Sequence, residues 1–581
     1  MICNAWVREK GIGGARANPR GMKRVTGILL IVLAGALVLG SASADTGLQV
    51  GFGARKITPV GESPAPWAFW QHPVTGIWSE PFEDANTNGY FDPGERHTDT
   101  IGNSTADPQS IGEFDGCWTN AGFGGKGPLG VYDDTWARAI VLDDGDTKVA
   151  MVSLDVVGFF YEEIERARFE LDDRVAGHGI DKVIVSSTHT HEGCDTMGLW
   201  GNPGYATDGK FPEYQAFIRW SIVEAIAEAN TALEPARMKA ATTTHTAGIR
   251  DSRPPNVIDP LVQAAQFVRP DDSVIGTMVN WSNHPEALGG NNRYISSDFP
   301  HGTREKIESV TDAPAIYFSG SVGGLMTPLR VDMGEPYGTG ETKERAYYIG
   351  ELVADAALGA LDGATVEAPA SITLASEEIY MPGDNYSLRV LNAIGIFDKP
   401  TYTAGLPSGP LGDEFLTEMV SVGIGSVRVQ TVPGELFPEL EVGGYGRADC
   451  PEADTGRPFE PVIAEQYTEE HLFTLGLAQD ELGYIVPGYD FWIAGAPDEV
   501  IEQAGGPQAG PRPLIDIGVL EATDPCGEEH YEETVSASSV MAPVVTCTAA
   551  RLAGKDTSTM PACSEENTTV APQGLHLDAL P

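Results

Sequence analysis

Short apolar runs closed by turn residues alternate along this chain with longer amphipathic stretches. Ala139-Ile140-Val141-Leu142 and Val149-Ala150-Met151-Val152 flank Asp144-Gly145-Asp146, a pattern that predicts a β-hairpin. Residues 161–175 read as a helix rich in Glu and Arg, and residues 214–232 as a second helix with an apolar stripe. Further strands are expected at 183–185, 274–281, 315–318, 426–431 and 472–475. Strands and helices intermix throughout, with no internal repeat and no long linker. The pattern therefore predicts an α/β (α+β) fold, a single large domain built on a large mixed β-sheet with flanking helices. From about Arg551 the chain turns polar, with Thr and Pro, and reads as a poorly ordered tail over 551–581.

The start of the chain changes the compartment. Met22-Lys23-Arg24 opens a basic segment, residues 28–39 are apolar, and Ala42-Ser43-Ala44 precedes Asp45 as a small-residue cleavage site. Residues 1–44 thus read as an N-terminal extension plus a secretory signal peptide, and the mature domain, 45–550, is expected to be secreted or periplasmic. No later segment is long and apolar enough to serve as a transmembrane span after cleavage. With 83 acidic against 37 basic residues the net charge is −46. Such a surface repels nucleic acid and anionic membranes, which excludes both as partners. Cys117, Cys194, Cys450, Cys526, Cys547 and Cys563 remain beyond the leader, a set compatible with disulfides in an exported protein. Cys194 is alternatively a free thiol.

One local motif stands apart. Asp84, Asn86, Asn88, the backbone carbonyl of Tyr90, Asp92 and Glu95 occupy the oxygen-ligand positions of a twelve-residue Ca²⁺ loop, with Gly89 at the sharp turn. Pro93 inside the loop, and the absence of flanking helical patterns, point to a structural calcium site in an insertion at about residues 80–116.

The candidate chemistry lies where strands end. Ser187-Thr188-His189-Thr190-His191-Glu192-Gly193 follows the apolar Val183-Ile184-Val185. Two imidazoles at i and i+2 on an extended segment point the same way, which suits a metal site or an acid/base pair. His284 follows another apolar strand in Asn283-His284-Pro285, and Glu435 follows a third in Val432-Pro433-Gly434-Glu435. The strand at 472–475 leads through Gly476 to Tyr484. Imidazole and carboxylate ligands converging at a sheet rim, with a position left open, describe a catalytic zinc site. Taken singly, each residue has an ordinary explanation: a hydrogen-bonded loop histidine, a solvated turn, a packed tyrosine.

At these residues the chain resembles the neutral/alkaline (non-lysosomal) ceramidase family. Val50-Gly51-Phe52-Gly53-Ala54-Arg55-Lys56-Ile57-Thr58-Pro59 is similar to the family's opening strand, and Ser187-Thr188-His189-Thr190-His191 to its most specific signature. Asp133-Asp134-Thr135-Trp136-Ala137-Arg138-Ala139, Ser153-Leu154-Asp155, Asn291-Asn292-Arg293 and His530-Tyr531-Glu532 also resemble family blocks, in order. The resemblance implies zinc ligation by His189, His284, Glu435 and Tyr484. His191 would sit beside the metal to serve the oxyanion or the leaving amine. The family's nucleophile segment Gly-Asp-Val-Ser-Pro stands here as Gly324-Leu325-Met326-Thr327-Pro328, so Thr327 replaces the serine and Leu325 the aspartate. The substrate-contacting arginine maps onto Arg250 or Arg253. The catalytic residues are then His191, Thr327 and Tyr484, and the resemblance covers a catalytic domain alone.

The implied activity is zinc-dependent hydrolysis of an N-acyl bond in a lipid-like substrate by an activated water, with Ca²⁺ as a structural ion. Two alternatives stand beside it, the first motivated by the substitutions at Thr327 and Leu325. One is a catalytically idle secreted binding protein that keeps the fold and the metal site. The other is a zinc esterase or non-lipid amidase.

Overall fold

The computed structural model describes residues 47–61, 70–71, 78–79, 83, 85, 128–199, 209–210, 212–324, 326–369, 371–448, 450–492 and 522–569. The fold class is the expected α/β one, with most of the described strands divided among three mixed sheets and the rest in two-stranded ladders. In the first sheet Trp136–Asp143 is the hairpin partner of Lys148–Leu154 and pairs on its other side with Gln49–Lys56, both antiparallel. Lys182–Ser187 is added parallel at one edge. The second sheet runs Ala315–Ser319, Val274–Trp281, Leu261–Val268, Arg237–Thr244, Val366–Glu367, with the first pair parallel. The third is built on Ile372–Pro382 against Glu414–Ile424, and Val427–Thr431 lies parallel to His471–Leu475.

Side-chain alternation explains how the layers stack. Ala139 and Val141 face one way, against the helices Tyr161–Arg174 and Pro212–Thr231; Ile140 and Leu142 face the other. That second face meets Met278, Ile316 and Phe318 of the second sheet and Val427, Val429 and Phe473 of the third in one continuous core. The helices Phe299–Thr311 and Lys343–Asp362 cover the far face of the second sheet. Strands buried on both faces read as unbroken apolar runs, as Val149-Ala150-Met151-Val152 does. Gly51 and Gly53 let the helix Pro212–Thr231 approach closely. A Cβ at either would stand 2.0 Å from the carbonyl oxygen of Ala229 or 2.3 Å from that of Ala225.

The tail expected from Arg551 is folded for its first part. Arg551 lies inside the helix Met541–Leu552, and a Cys547–Cys563 disulfide with Cα atoms 5.6 Å apart ties the following turns back to it. Cys450 and Cys526 form a second disulfide, Cα atoms 6.1 Å apart. Cys194 is disulfide-bonded too, so it is not a free thiol. Among the described residues no helix is long and apolar enough to cross a membrane.

The strands Lys182–Ser187, Val274–Trp281, Ala315–Ser319 and His471–Leu475 send their C-terminal loops to a shared rim. There Ser319 Oγ donates to the Thr188 carbonyl at 2.6 Å, and Ser186 Oγ to that of Gly476 at 2.9 Å. Gly320 N–H donates to the Trp281 carbonyl at 3.1 Å, and Leu477 N–H to that of Gly434 at 3.1 Å. Loops from separate sheets are thereby fixed to one another where the candidate residues sit.

Candidate functional site

His189 leaves the strand with φ of 67°, in the left-handed region that a non-glycine residue enters at a cost of roughly 1–3 kcal/mol. The two imidazoles therefore do not converge by strand alternation: extended structure ends at Ser187, and the backbone turn at His189 brings the rings together, centroids 4.9 Å apart. The turn is held by His189 N–H donating to the Val156 carbonyl at 3.0 Å and by its Nδ1 at 2.6 Å from the Val157 carbonyl oxygen.

His284 repeats the arrangement. Its Nδ1 lies 2.8 Å from the Met326 carbonyl oxygen, which also accepts the His284 backbone N–H. A carbonyl is only an acceptor, so both Nδ1 atoms carry the proton and both Nε2 atoms point away from the backbone into the site. Both Nε2 atoms face Glu435, whose Oε2 is 3.1 Å from His284 Nε2 and 3.5 Å from His189 Nε2. Nitrogens of His189, His191 and His284 lie within 4.8 Å of one another, all three residues buried. Burial opposes ionisation of Glu435, yet the two imidazoles hold its carboxyl well below the usual range. Burial likewise pulls His284 down, and the Glu435 carboxylate more than offsets it. Two oriented Nε2 atoms and a carboxylate oxygen around one point are a donor set that zinc fits, and backbone carbonyls behind the imidazoles are what orients such ligands.

Tyr484 is the direct parallel-ladder partner of Glu435, so the two side chains share a face; its hydroxyl is 3.2 Å from that of Tyr531. Burial and the Glu435 charge push the Tyr484 hydroxyl well above its ordinary value. All these groups line the floor of a cavity of about 310 Å³ whose walls include Val157, Phe160, Met197, Leu199, Phe397 and Phe415. A polar, metal-competent floor under apolar walls suits a substrate that joins a reactive polar group to an apolar chain.

His191 N–H donates to the Pro285 carbonyl at 3.0 Å, and its Nδ1 lies 3.3 Å from Glu286 Oε2. Burial lowers the His191 imidazole to about 3, which keeps it neutral. Thr327 is buried but is not among the described residues of the cavity wall; its hydroxyl donates to Glu286 Oε1 and accepts the Leu329 N–H at 3.1 Å. Arg250 pairs with Thr327 across a two-residue ladder and donates from Nε to the Leu329 carbonyl at 2.8 Å. Arg253 is committed elsewhere: its guanidinium donates to Asp490, Glu532 and Glu533 at 3.0, 2.9 and 2.8 Å inside the core, and it is not among the described residues that line the cavity. The loop carrying Asp84, Asn86, Asn88, Tyr90, Asp92 and Glu95 lies outside the described residues, as do residues 1–44, Cys117 and Leu325.

Three charged residues of the cavity were missed from sequence. Glu286 stands at i+2 from His284, the spacing that singled out His189 and His191, and that signal was available. Glu481 and Lys399 gave none. Glu481 Oε1 accepts the Gly483 N–H at 3.0 Å, and burial together with the Glu435 charge raises its carboxyl well above the usual range. Lys399 reaches the cavity with its Nζ neutralised by Glu162 at 2.9 Å and Asp480 at 2.9 Å.

No family model and no curated protein sequence matches the chain. Among solved structures it is similar to the neutral ceramidase from Pseudomonas aeruginosa, with a TM-score of 0.54 at 12% identity over 87% of this chain and 74% of that one. It is similar also to a structure described as ceramidase complexed with C2, TM-score 0.53 at 13% identity, covering 87% of this chain and 75% of that one. The resemblance read from the sequence is thus matched by a likeness of fold that spans most of the chain.

Proposed function

We propose that this protein is an exported, zinc-dependent hydrolase that cleaves the N-acyl bond of a lipid-like amide, in the manner of a ceramidase. The observation that carries the reading is the convergence of His189 Nε2, His284 Nε2 and Glu435 Oε2 on the floor of an apolar-walled cavity. The fold shared with neutral ceramidases supports it. Zinc would be held by His189, His284 and Glu435, with Tyr484 beside them as the fourth ligand. When bound, it would supply Lewis acidity to the amide carbonyl and lower the pKa of water.

This chain's own residues do the rest. The walls bind the acyl chain and exclude water, which strengthens every polar contact on the floor. Neutral His191 accepts a proton as water adds to the amide carbon, and returns it to the nitrogen as the C–N bond breaks, giving a free acid and an amine. Cysteine pairing supports an oxidising compartment. The calcium loop at Asp84 to Glu95 belongs to the same proposal as a structural site.

The test is metal analysis of the purified mature protein together with a panel of fluorogenic N-acyl lipids, simple amides and esters. One zinc per chain and a preference for N-acyl lipids are expected, and His189→Ala and His284→Ala should each lose both metal and turnover. A metal-free protein, or hydrolysis unchanged in either variant, overturns the proposal.

A further inference from the structure

The three buried imidazoles differ in what stands behind them. His189 and His284 turn Nδ1 to backbone carbonyls; His191 turns it to a carboxylate, Glu286 Oε2, at 3.3 Å. We infer that Glu286 is a positioning residue that orients His191 in the site, and that Thr327 holds Glu286 in place instead of acting as a nucleophile. The inference rests on the hydrolase reading above.

A carboxylate can only accept, so its contact is favourable when Nδ1 of His191 carries the proton, and the lone pair is then on Nε2. A carboxylate held in place behind the ring fixes its orientation and tautomer, whereas a carbonyl suffices to aim a metal ligand. The acceptor thus sets His191 apart from the two candidate ligands.

The turn after His284 is built to hold this contact. Glu286 N–H donates to the His284 carbonyl at 2.9 Å, and the Pro285 carbonyl accepts the His191 N–H at 3.0 Å. His191 is therefore tied to one turn through both backbone and side chain. The other oxygen, Oε1, accepts the Thr327 hydroxyl proton. Because Thr327 Oγ1 also accepts the Leu329 N–H, its single proton has one direction left, toward Glu286. A hydroxyl so committed, behind the carboxylate and off the cavity wall, is a strut.

Histidine-selective ¹⁵N NMR, metal analysis and steady-state kinetics on wild type, Glu286→Gln, Glu286→Leu and Thr327→Val test the inference. Wild type should show the Nδ1–H tautomer for His191, assigned by loss of its signal in His191→Ala. Glu286→Leu should change that tautomer pattern and leave the His189 and His284 signals in place. Glu286→Gln should keep its zinc and its melting temperature and lose kcat by about 10- to 100-fold with KM within about twofold. Thr327→Val should cost about tenfold or less. Loss of zinc in Glu286→Gln would place His191 among the ligands and overturn the inference; so would an unchanged kcat, an Nε2–H tautomer in wild type, or abolished turnover in Thr327→Val. Should the protein bind no zinc or cleave no amide, the hydrolase reading fails, while the tautomer measurement still decides what Glu286 does.

Discussion

Asp155 and Arg304 give the sharpest test of how the site is supported. Arg304 donates from Nη1 to Asp155 Oδ1 at 2.8 Å and from Nη2 to Oδ2 at 2.9 Å, and the two residues are 1% and 2% exposed. Asp155 Oδ2 also accepts the Trp136 backbone N–H and the Ser297 hydroxyl, both at 2.9 Å. The pair clamps the first sheet to the helix Phe299–Thr311, directly before the Val156 and Val157 carbonyls that hold His189. Asp155→Asn keeps one acceptor oxygen, turns the other into an NH₂ donor and removes the charge, leaving a buried guanidinium unneutralised. Two charge-assisted bonds at about 1.5–3 kcal/mol each bracket the loss, and removing one partner of a buried pair costs about 3–5 kcal/mol. Urea unfolding followed by tryptophan fluorescence should show the midpoint falling accordingly with the slope unchanged. Adding Arg304→Met should recover part of the loss, because the stranded charge goes with it. A single variant within about 1 kcal/mol of wild type, or a double variant worse than the single, would refute the reasoning.

Burial raises the carboxyls of Asp251 and Glu441 to about 8 and that of Asp298 to about 7, so the folded chain holds protons that the unfolded chain releases. Their contribution is fully present below the ordinary carboxylate range and is lost as pH rises toward 8; Glu441→Gln, which mimics the protonated form, should flatten the fall in urea midpoint between pH 5 and pH 8, and an unchanged slope counts against it. Gly483 has φ of 85°, its carbonyl accepts the Glu435 N–H at 3.0 Å, and a Cβ there would lie 1.5 Å from the Val535 carbonyl oxygen. Gly483→Ala should cost more than about 3 kcal/mol and lose metal, measured by thermal melting and metal analysis; a native-like melt would show that the turn relaxes freely. Removing the Cys450–Cys526 bridge, sequence separation 76, should destabilise by about 4.5 kcal/mol, and removing Cys547–Cys563, separation 16, by about 3 kcal/mol. Paired Cys→Ser variants compared by urea unfolding would contradict the chain-entropy account if their order were reversed.

Local pattern carried the elements but not their assembly. The hairpin flanking Asp144-Gly145-Asp146 and the helix Tyr161–Arg174, with Ile164, Ala167 and Leu171 inward, were legible because apolar spacing and turn chemistry agree there. The division into three sheets was not, because it depends on pairings such as Val427–Thr431 with His471–Leu475, between segments with no pattern linking them. Charged residues divide in the same way. His189, His284 and Glu435 each follow an apolar strand, and strand ends gather at one rim. Arg253 gave no sign of its commitment, since its partners Asp490 and Glu533 lie 237 and 280 residues away.

The left-handed turn at His189 shows why part of the site could not be read forward. A residue in that region survives only where its surroundings over-determine it. Here one hydrogen bond fixes the backbone, a second fixes the ring, and both acceptors follow Asp155, which Arg304 and Ser297 lock in turn. The backbone cost at one histidine is thus met by a buried ion pair whose members are far apart in sequence. With the ring so held, Nε2 of His189 faces Glu435 Oε2 at 3.5 Å. Site geometry and core stability are, in this protein, properties of one set of bonds, and a change that loosens the Asp155 clamp acts on both.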